Sequence, residues 1–278
     1  MIAVLGRLGV DKIRLTGGEP LVRRGIVEFI QEISALGTIK DISMTTNASL
    51  LAGLAHDLKE AGLQRVNISL DTVNPERFAA ITCNGRLEDT LQGIESAFAA
   101  GLEPVKINVV LTAACTESDL AYFVEQVYRR PLLVRFIEYM PIGNCGVKPG
   151  LAINDVKKII NAFGRGKLYS EREPLAGGGP ARYYRLPGAR GSFGFITPIS
   201  EHFCHQCNRL RMTADGKFKP CLLSDQEIDF KPALRGGESD EVLANLFYQA
   251  VQLKPAGHNL HERSEHPDFK RKMSQIGG

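Results

Sequence analysis

The sequence has little excess of charge of either sign. Lys and Arg outnumber Asp and Glu by 34 to 31, a formal net charge of +3. That is too small to argue for a nucleic-acid partner, although a local basic cavity is compatible with it. There is no apolar run long enough to span a bilayer. The first residues, Met1 to Arg7, carry neither a basic leader nor a long apolar stretch, so no signal peptide is visible and a cytoplasmic location is the expectation. Cysteine is scarce as well: six in 278 residues do not make a disulfide scaffold. Three of them (Cys83, Cys115, Cys145) stand alone and read as incidental thiols.

The other three are clustered. Cys204-His205-Gln206-Cys207 is followed at once by Asn208-Arg209-Leu210-Arg211, and thirteen residues separate Cys207 from Cys221. In a chain without an export signal, clustered cysteines are more often metal ligands than bridges. The spacing fits two centres equally. A structural zinc knuckle would need a fourth ligand, with His202 or His205 as candidates. An iron–sulfur cluster on three thiolates would leave one iron open. No fourth cysteine lies nearby, which favours the open cluster.

The first half alternates strand and helix patterns. Strands are expected at residues 12–16, 41–46, 65–71, 103–112 and 132–140, and helices at 25–36, 50–61, 87–100 and 117–129. Repeated units of this length imply an α/β fold with a parallel sheet. Parallel strands covered on both faces should be apolar throughout. Here Lys12, Arg14, Ser43, Thr45, Asn67, Ser69, Lys106, Asn108 and Arg135 alternate with apolar neighbours. One face of the sheet is therefore polar, which points to a curved, incompletely closed barrel around a wet or ligand-filled cavity. Lys12, Arg14, Lys106 and Arg135 would give that cavity a cationic wall suited to a polyphosphate. Beyond about residue 140 the alternation stops. Helices are expected at 153–163 and 240–252 and a hairpin around 182–186, so the chain divides into residues 1–140 and 141–278. Gly17-Gly18-Glu19-Pro20 closes the first strand, where ligands sit in parallel α/β folds. By itself a Gly-Gly pair is no more than a tight turn.

Taken together, Leu15-Thr16-Gly17-Gly18-Glu19-Pro20, Thr45-Thr46-Asn47, Asn67-Ile68-Ser69-Leu70-Asp71, Lys106-Ile107-Asn108, Arg135 to Pro141, the cysteine segment with Thr213-Ala214-Asp215-Gly216, and the terminal Gly277-Gly278 resemble a known family. This is the GTP 3′,8-cyclase family, the radical S-adenosylmethionine enzymes that start molybdenum cofactor synthesis. The resemblance implies a partial (βα)6 barrel and a C-terminal region carrying an auxiliary 4Fe–4S cluster. It implies that Gly18, Ser69 and Met140 contact S-adenosylmethionine. Arg14, Thr45, Lys106, Arg135, Arg209, Leu210 and Arg211 would contact GTP, with Lys12 nearby. Cys204, Cys207 and Cys221 would hold the auxiliary cluster, and the Gly277-Gly278 tail would reach the active site. In such enzymes a carbon radical at C3′ of GTP attacks C8 of guanine, and the product goes on to cyclic pyranopterin monophosphate synthase. The family suggests a homodimer.

One departure is large. The family's first cluster is held by a C-x-x-x-C-x-x-C loop, and these 278 residues contain none. By resemblance the sequence begins in the helix after that loop, an N-terminally truncated member that lacks the first strand of its barrel. A chain so cut is not expected to make the 5′-deoxyadenosyl radical. Two other readings stay open: a non-catalytic fragment that binds a nucleotide and a metal, and another radical enzyme with an auxiliary cluster.

Overall fold

The alternation along the strands decides the architecture. In the computed structural model, residues 1–142, 148–171, 179–258, 271 and 273–276 are described. The first half runs α1 (Ile2–Arg7), β1 (Lys12–Leu15), α2 (Ile26–Ala35), β2 (Asp41–Thr46), α3 (Ala55–Glu60), β3 (Arg65–Ser69), α4 (Pro75–Ile81), α5 (Leu87–Ala99), β4 (Lys106–Val110), α6 (Glu117–Arg129) and β5 (Leu133–Ile137). The second half has α7 (Ile153–Phe163), β6 (Tyr169–Ser170), β7 (Arg182–Arg185), β8 (Ser192–Ile196), β9 (Arg211–Met212), β10 (Lys217–Lys219), β11 (Ile228–Asp229), α8 (Lys231–Gly236), α9 (Asp240–Gln252) and α10 (Met273–Ile276).

One sheet takes eight strands in the order β1-β2-β3-β4-β5-β8-β7-β6. β1 to β5 and β8 are parallel, and β7 and β6 add antiparallel strands. The sheet is an open α/β barrel with β1 and β6 as its edges. It is larger than the five strands expected, because β8 returns from beyond residue 140 to pair with β5. Apolar residues of the strands face the helices: Ile42, Met44, Val66, Ile68, Ile107, Val109, Val134, Phe136 and Phe193 are all buried. Helices α2, α3, α5, α6 and α7 close this side with Ile30, Leu58, Ile94, Phe123 and Ile160 in the same core. Phe136 stacks between Phe193 and Phe195, with centroids at 6.0 and 5.9 Å.

Local chemistry sets the helix ends. In α6, Thr116 and Asp119 form a reciprocal capping box. Asp119 is fully buried and also accepts from Thr72 Oγ1, the Val73 amide and Arg77, so it ties the β3–α4 connection to α6. Helix α4 falls outside the elements expected from the sequence, yet Asn74 caps it by accepting from the Arg77 amide, and Pro75 opens it. The helix expected over 50–61 is divided: a 3-10 turn at Leu51–Gly53 precedes α3.

A second, smaller core joins Phe218, Phe230, Leu243, Phe247 and Ala250 to Val4 and Leu5 of α1. It is organised on the three-stranded antiparallel sheet β11-β10-β9 and on α9. The first helix of the chain thus packs on the cysteine-bearing layer.

Candidate substrate cavity and cysteine centre

The polar sides of the parallel strands form a floor of staggered rows. Register sets Arg14 beside Ser43 and Ser43 beside Arg65. The next row is Thr45, Asn67 and Lys106. The third runs Ser69, Asn108, Arg135, Gly194 and Tyr183 across five strands. Side chains on one face of neighbouring parallel strands are close enough to interact, so these rows form one surface. Arg14, Thr45, Lys106 and Arg135 all lie on it. Lys12 lies exposed at the edge strand, beside Asp41 in the register.

The floor is short of negative charge. Lys106 is fully buried, and burial together with Arg135, Arg65 and Arg14 pushes its ammonium down to about 7. Arg14 is exposed on the open side of the floor, yet its crowding by protein and the charges of Arg135, Arg65 and Arg209 lower it to about 10. Arg135 is lowered too, by burial first and then by Arg65 and Arg209, against an opposing effect of Tyr183. Asp41 is the carboxylate that opposes this, pairing with Arg65 at 2.6 Å. Arg209 comes from the cysteine segment, so its effect on Arg14 and Arg135 shows that the segment faces the floor.

Arg135 is held from several sides. Its Nη2 donates to Asn67 Oδ1 at 2.6 Å, and Asn67 Nδ2 donates to the Met44 carbonyl at 3.1 Å. The buried Tyr183 hydroxyl and Arg135 Nε face the same space without a well-formed hydrogen bond. Gly194 makes this packing possible, since a Cβ there would lie 2.9 Å from the Tyr183 ring and 3.0 Å from Arg135 Cγ. Asn67, Arg65 and Tyr183 are not among the site residues expected from the sequence. For Arg65 and Asn67 the signal is present, because both share the parity of the polar face.

The strand ends carry the second group. Gly18 is exposed after β1, Ser69 is exposed at the end of β3, and Met140 is half-buried beyond β5. A Cβ on Gly18 would meet nothing within 4 Å, so backbone is open to a ligand there. Glu19 fixes this turn: it accepts from Thr46 Oγ1 and the Asn47 amide, each at 2.7 Å, and from the Leu21 amide at 3.0 Å. Asp71 caps the neighbouring ladder by accepting from the Val110 amide at 2.8 Å, and burial raises its carboxyl to about 6.

Cys204 opens a 3-10 turn through Gln206, and the Cys207 amide donates to the Cys204 carbonyl at 3.1 Å. Burial alone would raise the Cys207 thiol. The backbone N–H of Arg209 and the charges of Lys254 and Arg209 outweigh it, and the thiol is lowered. Lys254 Nζ donates to the carbonyls of Arg209 at 2.8 Å and Pro220 at 3.1 Å. It therefore clamps the segment of Cys207 to that of Cys221. Half-buried Arg211 is close enough to Cys207 and Cys221 for their charges to act on it. Leu210 packs into the second core, so its backbone is the part available to a ligand.

As placed, the three sulfurs are not all close enough together for one tetrahedral zinc. Tetrahedral zinc with bonds of about 2.3 Å sets its sulfurs only about 3.8 Å apart. Among the described residues the three sulfurs do not lie within 4.8 Å of one another; the group that does is exposed His56, Asp57 and Glu60. Thiolates on separate irons stand farther apart and accept N–H donors, as Cys207 does. His202 packs edge-on against His258 with centroids 5.6 Å apart, and forms no such group with the cysteines. Gly277 and Gly278 lie outside the described residues. A separate cleft of about 580 Å³, lined by Leu21, Ile26, Leu54 and Asp57 among others, lies between α2 and α3 and holds none of these groups.

Comparison with known proteins gives two family matches. The Radical SAM superfamily matches residues 1–127, and Molybdenum Cofactor Synthesis C matches residues 132–260. A GTP 3′,8-cyclase of Moorella thermoacetica is 48% identical over 281 residues, covering all of this chain and 86% of the relative. That of Heliobacterium modesticaldum is 47% identical over 279 residues, covering all of this chain and 85% of the relative. That of Pelotomaculum thermopropionicum is 47% identical over 272 residues, with 97% and 82% covered.

Proposed function

The chain belongs to the GTP 3′,8-cyclase family of radical S-adenosylmethionine enzymes, and from that premise we propose that its cationic floor and cysteine segment bind GTP between them. The function is GTP 3′,8-cyclisation in molybdenum cofactor synthesis. Family membership brings 4Fe–4S chemistry and S-adenosylmethionine with it. The supporting observation is the convergence of Arg14, Arg65, Lys106, Arg135 and Arg209 on one cavity opposed by Asp41. Like charges in a partly dry cavity repel strongly, and a triphosphate relieves that repulsion.

The roles divide by position. Arg14, Lys106, Arg135 and Arg209 take the phosphates, and the arginines offer forked donors. Thr45 contributes a hydroxyl, and Lys12 sits at the rim. Arg211 and the Leu210 backbone complete the side formed by the cysteine segment. Gly18, Ser69 and Met140, at the strand ends, receive S-adenosylmethionine. Cys204, Cys207 and Cys221 would hold the auxiliary cluster, which would supply a Lewis-acidic docking point for the base. The protein's own work is to orient C3′ towards C8 and to exclude water, as in other cofactor-dependent enzymes. The C-x-x-x-C-x-x-C loop that holds the family's first cluster is not among these 278 residues. Transfer of the product to cyclic pyranopterin monophosphate synthase and pairing as a homodimer are proposed on family resemblance alone. No helix among the described residues is long and apolar enough to cross a membrane.

Equilibrium binding of GTP to the anaerobically reconstituted chain tests the reading. Saturable binding that weakens by about tenfold or more in Arg135→Ala supports it, at roughly 1.5–3 kcal/mol per charge-assisted bond. Equal affinity for GTP and guanosine would refute the phosphate assignment.

A further inference from the structure

The Thr213-Ala214-Asp215-Gly216 turn has no part in the cavity or the cysteine centre. It joins β9 to β10, with Gly216 at φ +86° and the Gly216 amide donating to the Thr213 carbonyl at 3.0 Å. Asp215 projects from it to Arg271, whose Nη2 donates to Asp215 Oδ2 at 2.8 Å. The same guanidinium forks onto Glu227, just before β11: Nη2 donates to Oε2 at 2.8 Å and Nε to Oε1. These are charge-assisted, bidentate contacts, the strong kind. Their environment is partly dry, since the side chains of Arg271 and Glu227 are each only 16% exposed. Both carboxyls are held below their ordinary range, chiefly by hydrogen bonds from Arg271. Lys217 also stands 3.7 Å from Glu227.

Two residues after Arg271, α10 begins, and it is attached at its far end as well. Ile276 is buried, and its carbonyl accepts from Arg211 Nη1 at 3.1 Å. Four residues of helix have almost no stability of their own. Something outside α10 must hold it, and among the described residues the Asp215–Arg271–Glu227 clasp is the charge-assisted contact that does so.

We propose that Asp215 and Glu227 form a latch for Arg271 that holds the C-terminal segment on the β9–β11 sheet and so positions Arg211. All three are positioning residues. With the latch closed, the Ile276 carbonyl occupies one donor of Arg211 and fixes its guanidinium beside the cysteine segment. The latch stands on these side chains and not on which ligand the cavity takes.

Two measurements on the full chain test it. Hydrogen–deuterium exchange of a peptide covering 271–276 should quicken by roughly ten- to a hundredfold in Arg271→Gln, the range expected for lost charge-assisted bonds. Peptides from β2 to β5 should not change. Arg271→Lys keeps the charge without the fork and should show a smaller rise. Labelling of Arg211 by phenylglyoxal, followed by mass spectrometry, should accelerate in step with the exchange. If Arg271→Gln folds poorly, the paired changes Asp215→Asn and Glu227→Gln remove the negative charges that face Arg271 instead and should give the same pattern. Unchanged exchange at 271–276 would overturn the latch, and so would an equal rise in all peptides. Faster exchange with unaltered Arg211 labelling would overturn the positioning of Arg211.

Discussion

Binding of GTP should draw a proton from solvent, and Lys106 is the group that takes it. Lys106 is fully buried in β4, with burial, Arg135, Arg65 and Arg14 pushing it down to about 7. At pH 8 a group of that pKa is about 90% neutral, and at pH 7 about half. A triphosphate laid over the floor reverses the local field and returns the ammonium towards its ordinary value near 10.4. Uptake should then be about 0.9 proton per GTP at pH 8 and about 0.5 from this residue at pH 7. The cleaner reading is at pH 8, where the terminal phosphate, with a pKa near 6, is already ionised. Calorimetric titrations in Tris and in HEPES, which differ in ionisation enthalpy, report the proton count directly. Lys106→Met should bind GTP more weakly and lose most of the uptake. An apparent enthalpy independent of buffer at pH 8 would refute the reasoning, as would undiminished uptake in Lys106→Met.

The same lysine shapes the stability of the ligand-free chain. Its folded pKa is below the unfolded one, so between about 7 and 10.5 the unfolded chain holds more protons. Stability from this group therefore rises with pH, by about 1.4 kcal/mol between pH 6 and 8, and is lost below about 7. Denaturant midpoints across that interval should flatten in Lys106→Met relative to wild type. Gly194→Ala places a methyl against Tyr183 and Arg135 and should cost about 1–3 kcal/mol, read as a fall in melting temperature. Lys254→Met releases the carbonyls of Arg209 and Pro220 and should lower iron retention on dilution while leaving the melting of the large core unchanged; unaltered retention would deny Lys254 its clamping role.

Much of the cavity is legible in the sequence because strand side chains alternate with period two. Lys106 sits between Val105 and Ile107 and Arg135 between Val134 and Phe136, and that contrast alone puts them on a polar face. Arg65 and Asn67 follow the same parity without standing out, since parity says which face a residue occupies and not what it touches. Tyr183 is out of reach. It enters the third row through β7, an antiparallel strand set beside β8 by pairings between distant segments. The contacts of Lys254 and Arg271 are equally hidden. Each acts across more than forty residues of chain, on Arg209 and on Glu227 respectively, and neither a lone Lys254 nor the middle of the Lys270-Arg271-Lys272 run carries a local pattern that names its partner. The packing of α1 on the cysteine-bearing layer is of the same kind: Val4 and Leu5 read as an ordinary apolar pair until Phe218 and Phe247 are placed against them.

Fold and chemistry meet at Cys204, Cys207 and Cys221, and the metal they hold tests the account most directly. After anaerobic reconstitution and desalting, iron and acid-labile sulfide should each reach about four per chain, as a 4Fe–4S cluster requires. Cys221→Ala should lose most of both, since two thiolates remain. A single tightly held zinc per chain, without sulfide, would contradict the account.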